Sequence, residues 1–267
     1  MSYVQLSTFD LVLASLLLLI NGAISFGYRL NLEKGIAIAA VRMVLQLALI
    51  ALLLKVVFAT DAFWPTLLFA LLMLAATVYE VASHQSRRIA GWMGYALAGG
   101  PPFVAGLVTT LFAVVAIIGA DPWYAPRFFL PILGMIVGNA LAGAGLVLDT
   151  LADGASRDRQ AIEARLALGQ SRFVALQDVM RRAVRAGMLP ILSTMSTAGI
   201  VAIPGMMTGQ ILAGADPAEA AKYQVMILFL IAGATGLAVL AAAFGSVMLL
   251  TDERHRLRLD RLEASKG

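Results

Sequence analysis

Residues 35–58 read GIAIAAVRMVLQLALIALLLKVVF. Only Arg42 and Lys55 carry charge in this run. At 1.5 Å per residue it makes a helix of about 36 Å. That is enough to cross the roughly 30 Å of hydrocarbon in a bilayer. Apolar residues occupy every side of such a helix, so it has no face to give to water. Six further runs of the same kind lie near Leu11–Gly27, Trp64–Ser83, Leu97–Ile118, Phe128–Leu148, Met188–Leu212 and Gln224–Leu250. The expected fold class is therefore all-α: a polytopic bundle of seven transmembrane helices, without a β domain.

Composition agrees. The chain has 267 residues, 60% hydrophobic and 13% charged, with a mean hydropathy of +0.86. Soluble domains carry about 25% charged residues. The absence of cysteine excludes disulfides and thiolate metal sites. The first run is read as a retained helix, because MSYVQLSTFD carries an acid and no base, unlike a signal peptide.

Charge sets the expected orientation. With the C-terminus inside, all but four of the twenty Lys and Arg fall on cytoplasmic segments; Lys55, Arg127 and Lys222 are outside and Arg42 lies within a span. This asymmetry predicts seven spans with the N-terminus out and the C-terminus in. The pI of 9.6 then reflects topology and not nucleic-acid binding. The whole chain, 1–267, reads as one transmembrane domain with two cytoplasmic features, a segment at about 150–187 and a basic tail at 251–267.

In the longer segment, Phe173, Leu176, Met180 and Val184 recur at helical spacing, opposite Arg181, Arg182 and Arg185. Asp178 stands four residues before Arg182, the spacing of a helix ion pair. One reading is a helix lying on the membrane surface. Another comes from the stretch just upstream, IEARLALGQSRF at 162–173. It resembles the cytoplasmic signature of bacterial ABC-transporter permeases, Glu-Ala-Ala, three residues, then Gly. Here the residues are Glu163, Ala164 and Arg165, then Gly169; Arg165 departs from the pattern.

Three stretches in order, GMIVGNALAGAGLVLDTL at 134–151, EARLALG at 163–169 and IPGMMTGQILAGADPAEAAKYQVM at 203–226, resemble the FetB family of ABC permeases. That family includes bacterial proteins assigned to iron export and plant proteins linked to aluminium tolerance. The resemblance implies a permease subunit of the bacterial cytoplasmic (inner) membrane that exports a metal ion, iron, by alternating access. It implies a coupling segment made of Glu163, Ala164, Gly169, Phe173 and Leu176, inserted into a groove of a separate ATPase. Gly169 would mark the turn between two short helices, with Phe173 and Leu176 starting the second.

The residues themselves require a partner for any ATP-driven work. There is no G-x-x-x-x-G-K-[ST] loop and no soluble domain to bind nucleotide. ATP and Mg would sit on the partner, and this chain would be no enzyme and bind no cofactor. One coupling segment per chain, and an engine of two ATPases, imply a homodimer.

Other features admit two readings each. Gly134, Gly138 and Ala142 on one row of the fifth span, with Ala140 and Ala144 beside them, allow close helix packing. Asn139 between them either glues helices or lines a polar path. Pro204-Gly205 interrupts the sixth span, as a static kink or as a gate with Met206, Met207, Thr208 and Gln210 beside it. Arg42 in the second span and Glu80 in the third fall at similar depth, as an ion pair or as functional charges. Metal ligands stay unknown: His84 and His255 are far apart, and the twelve Met are scattered. Ferrous iron accepts oxygen and nitrogen ligands, so iron rests on the resemblance alone.

The alternatives are a secondary transporter or channel independent of an ATPase, an intramembrane protease, and a structural or receptor-like bundle. Inverted repeats would favour the secondary transporter, and the seven runs are unlike one another. A protease would need a serine-nucleophile motif, H-E-x-x-H or paired intramembrane Asp, and none is visible. A purely structural bundle leaves Glu163 to Gly169 unexplained.

Overall fold

The computed structural model describes residues 7–60, 62–84, 87–252, 254 and 256–264. These residues are overwhelmingly helical. In chain order they form α1 (Thr8–Gly27), α2 (Glu33–Thr60), α3 (Phe63–His84), β1 (Arg87–Ile89), α4 (Trp92–Phe112), a π-helical turn (Ala113–Ile118), α5 (Pro126–Arg157), α6 (Arg159–Ala167), α7 (Arg172–Ala175), α8 (Gln177–Thr197), α9 (Gly205–Leu212), α10 (Pro217–Leu249) and β2 (Leu262–Ala264). Among the described residues five helices, α1, α2, α4 with its π turn, α5 and α10, are long and apolar enough to cross a membrane; α3 contributes a shorter apolar stretch, Phe63–Tyr79. The chain is a polytopic helical membrane protein.

By its contacts the chain divides into Met1–Asp61 with Leu212–Gly214, and Ala62–Ile211 with Ala215–Gly267. The first unit is an antiparallel pair, α1 and α2. Ser7 caps α1 reciprocally with Asp10, each side chain serving the other's backbone N–H. At the connection the buried Ser25 hydroxyl donates to Glu33 Oε2 at 2.9 Å and accepts from Leu32 N–H at 2.9 Å. That pair fixes where α2 begins.

In the second unit α5 is central, with α3, α4, α8 and α10 packed around it. Ile136, Ala140, Ala144, Val147, Leu151 and Ala155 are fully buried along one stripe at spacings of three and four. Facing them, α10 presents Ala234, Ala238, Ala242, Val239 and Val247, also fully buried. In lipid no hydrophobic gain draws helices together, so close packing of small residues does it. A crossing close enough to bring backbone to backbone joins α5 to α8. A Cβ on Gly187 would lie 2.7 Å from Gly143 O and 2.6 Å from Val147 Cγ2. One small-residue row is internal, since Ala140 and Ala144 are buried; Gly138 and Ala142 on the other row are exposed.

Two expectations change. The apolar face of Leu176, Met180 and Val184 does not lie on a membrane surface. It packs onto the core of α5 and α10, because α8 runs unbroken from Gln177 to Thr197. The Asp178–Arg182 pair does not form either. Asp178 meets Arg165 at 2.9 Å, and Arg182 meets Asp158.

The basic tail is structured. β2 pairs antiparallel with β1, Arg87 opposite Ala264 and Ile89 opposite Leu262. Arg258 N–H donates to Leu250 O at 2.8 Å, and Arg261 Nη1 to Leu249 O at 2.7 Å. Leu257, Leu259 and Leu262 pack against the same core cluster as Leu166 and Phe173.

Candidate functional site

At about 48 Å, α5 is longer than the hydrocarbon is thick. Its C-terminal turns carry Asp149, Asp153 and Arg157 and lead directly into α6. The helix α6 ends at Ala167, and the chain reverses through Gly169, whose φ is +84°. This is the left-handed region where glycine avoids the Cβ clash of other residues. Gly169 N–H donates to Leu166 O and Gln170 N–H to Arg165 O, which closes the C-terminal turn of α6. The one-turn α7 follows, and α8 begins after Leu176.

The segment is anchored from beneath. Ile162, Ala175 and Leu176 are buried, and the Phe173 ring packs on Phe244 of α10 with centroids 5.5 Å apart. Ion pairs brace it sideways: Arg159 Nε to Glu163 Oε1 at 2.8 Å, Arg165 to Asp178 at 2.9 Å and Arg182 to Asp158. Such half-exposed pairs contribute about 0–1 kcal/mol each; they fix register more than stability. Of the residues expected to act here, Leu176 and Phe173 therefore hold the segment to the helices. Glu163, Ala164 and Gly169 lie toward its accessible side. Beside Gly169, Leu168 is 82% exposed. Sequence reading passed over it, although an apolar residue next to a turn glycine in a polar segment is a usable signal.

At its other end α8 stops at Thr197, and residues 198–204 are not helical. Gly199 N–H donates to Ala202 O at 2.9 Å, with Gly199 at φ +82°. Pro204 then precedes α9, whose first residue is Gly205. The interruption is thus a seven-residue connection ending at Pro204, wider than a kink at Pro204-Gly205. Ile200, Val201 and Ile203 are exposed on it. Ser193, Thr194, Ser196 and Thr197 are exposed or partly exposed on the last turns of α8, and Thr194, Ser196 and Thr197 donate to carbonyls three or four residues back. Asn139 is exposed on α5, its Nδ2 donating to Met135 O at 2.8 Å.

Met206 and Gln210 of α9 line a cavity of about 450 Å³ with Arg127 and Met135 of α5 and Tyr223 and Met226 of α10. Met207 is not among its lining. The aromatic rings of Phe63, Trp64, Trp123, Tyr124 and Phe129 gather at the start of α3 and of α5, with centroids 5.5–6.3 Å apart. Such clusters suit a membrane–water boundary. The Arg42–Glu80 pair lies outside the described residues, because the Glu80 side chain is not among them, and so does His255. Among the described residues no three His, Asp or Glu converge on a metal-sized site.

The tail carries the clearest electrostatic shifts. The Arg258 guanidinium grips Asp260 with two hydrogen bonds, 2.9 and 2.7 Å, and holds its carboxyl down at about 2. The Arg256 backbone N–H, donating at 2.8 Å, lowers Asp252 likewise.

The sequence profile of UPF0014, an uncharacterised protein family, matches residues 8–250. The UPF0014 membrane protein slr1647 of Synechocystis is 35% identical over 205 residues, covering 76% of this chain and 77% of that one. The probable iron export permease protein FetB of Escherichia coli is 31% identical over 255 residues, 95% of this chain and 96% of that one. Protein ALUMINUM SENSITIVE 3 of Arabidopsis thaliana is 29% identical over 231 residues, 86% and 82% of the two chains. No solved structure matches significantly.

Proposed function

Since this chain belongs to the UPF0014 family of membrane proteins, we propose that it is the membrane-spanning subunit of an ATP-driven exporter. It works as a homodimer with a separate ATPase in the bacterial inner membrane, and its cargo is iron. The observation that carries this reading is the tip at Leu168 and Gly169, an exposed turn held on a rigidly anchored support. A projecting turn with an apolar knob is what a groove on a partner can grip. The near full-length likeness to a protein named as a probable iron export permease supplies the cargo.

The mechanism follows from rigidity. Phe173 and Leu176 tie the tip to α8 and α10. A push on the tip is carried along α8, 21 residues without interruption, to the connection at 198–204. There the helical ladder ends and the chain turns at Gly199, φ +82°, so movement concentrates. Ser193, Thr194 and Ser196 on α8 and Asn139 on α5 are exposed polar residues. Facing the two-fold mate, they line the path that opens and closes. ATP and Mg act on the ATPase; this chain supplies the coupling and the route.

The test is transport. Inverted vesicles holding this chain and a candidate ABC ATPase from the same genome should accumulate iron only with ATP. Equal uptake without the ATPase would replace this reading with a secondary transporter.

A further inference from the structure

Three methionines that are remote in sequence, Met135, Met206 and Met226, meet in the cavity between α5, α9 and the start of α10. Arg127, Gln210 and Tyr223 supply its polar groups. Its volume of about 450 Å³ lies in the range of small-molecule sites, roughly 300–1,000 Å³. A bare metal ion needs several donors converging at about 2.0–2.6 Å. No carboxylate or imidazole lines the cavity.

Charge points the same way. No ion pair to an acid is found for Arg127 among the described residues. It stands in the first turn of α5, at the positive end of the helix dipole. A cation entering here is repelled and an anion attracted. Gln210 Oε1 is buried with no hydrogen-bond partner among the described residues. The NH2 group of the same side chain is a donor for an anion. The Tyr223 hydroxyl is a second donor. The thioethers are polarizable and conformationally adaptable, so they fit an apolar body of variable shape.

We propose that this cavity binds an organic anion: an anionic headgroup against Arg127 and Gln210, with an apolar body among the three methionines. On the export reading, on which this step rests, iron reaches the cavity as the complex of such an anion and not as a bare ion. A free organic acid and an anionic lipid offer the same chemistry, so the test separates them.

The chain has no cysteine, so Met206→Cys places a single thiol in the cavity. The purified chain, without ATPase, is assembled in phosphatidylcholine nanodiscs. Its modification by anionic methanethiosulfonate ethylsulfonate is compared with that by the cationic trimethylammonium reagent, each relative to free cysteine. The anionic reagent should be favoured about tenfold by one nearby fixed charge. Adding Arg127→Gln should remove the preference, and Arg127→Lys should keep most of it. Salicylate should slow modification, whereas neutral salicylamide and iron(II) should not. If added phosphatidylglycerol protects and salicylate does not, the anion is lipid and the site still stands. The proposal fails if the cationic reagent is favoured, if Arg127→Gln changes nothing, or if iron(II) alone protects. Met226→Cys gives the same readout should Met206→Cys misfold. Because no ATPase is present, failure here leaves the coupling reading intact, and failure of coupling leaves this one intact.

Discussion

Substituting Gly187 by Ala isolates the helix crossing on which the bundle and the path of coupling both depend. The added Cβ would sit 2.6 Å from Val147 Cγ2, 2.7 Å from Gly143 O and 3.0 Å from Val239 Cγ2. Val147 and Val239 are fully buried, and Gly143 O is backbone. None can give way without moving α5 or α10. Overpacking of this kind costs about 1–3 kcal/mol. Ala is the better helix former by about 1 kcal/mol, which offsets part of the loss. Gly236→Ala in α10 is the control, since its Cβ meets only Met188, at 3.8 Å or more. Reversible unfolding in mixed micelles should show Gly236→Ala unchanged or stabilised by up to about 1 kcal/mol. Gly187→Ala should lie below it by about 1–3 kcal/mol, a factor of roughly 5 to 150 in the folding equilibrium at 1.4 kcal/mol per decade. Equal stability of the two variants would refute the close crossing of α5 and α8.

Three further outcomes follow. Asp260 is depressed to about 2 by Arg258, so the pair is fully formed above the ordinary carboxylate pKa near 3.8 and is lost as pH falls toward 2; an NMR titration of the Asp260 carboxyl should find its midpoint near 2, and Arg258→Gln should return it toward 3.8. Reversing Asp178 to Lys should lose at most about 1 kcal/mol, and the swap Arg165→Asp with Asp178→Lys should recover it; no coupling in that cycle would discard the Arg165–Asp178 pair. A reporter after Gly267 should read cytoplasmic and one at Ser2 external, and both on one side would rule out seven spans.

Much of this was legible in the sequence because membrane helices are written in composition. The run at 35–58 has no polar face, so it required lipid whatever its neighbours did. The turn at Gly169 was legible through the resemblance to the permease signature, which sets a glycine there, the residue best able to take φ +84°. Pro204 marked a break, but its extent was not readable. Pro204 cannot continue a helix from behind, yet it fits the entry to α9, so the chain stays open back to Ala198. Ion-pair partners were misread because the spacing of Asp178 and Arg182 describes one helix, while α6 folds back and offers Arg165 from another. The strands β1 and β2 are three residues each, too short for alternation to show. Met135, Met206 and Met226 looked scattered because only tertiary packing of α5, α9 and α10 brings them together.

The central claim is that the Leu168–Gly169 tip grips an ATPase. Its most direct measurement is site-specific crosslinking. With no native cysteine, Leu168→Cys carries one photoactivatable probe at the tip, in a chain co-expressed with a candidate ABC ATPase from the same genome. The expected result is a single adduct with the ATPase, in a complex that still hydrolyses ATP. Adding Gly169→Val, which forces a β-branched residue into φ +84°, should abolish the adduct while the chain still inserts and dimerises. An active complex that gives no adduct from position 168, or one indifferent to Gly169→Val, would contradict it.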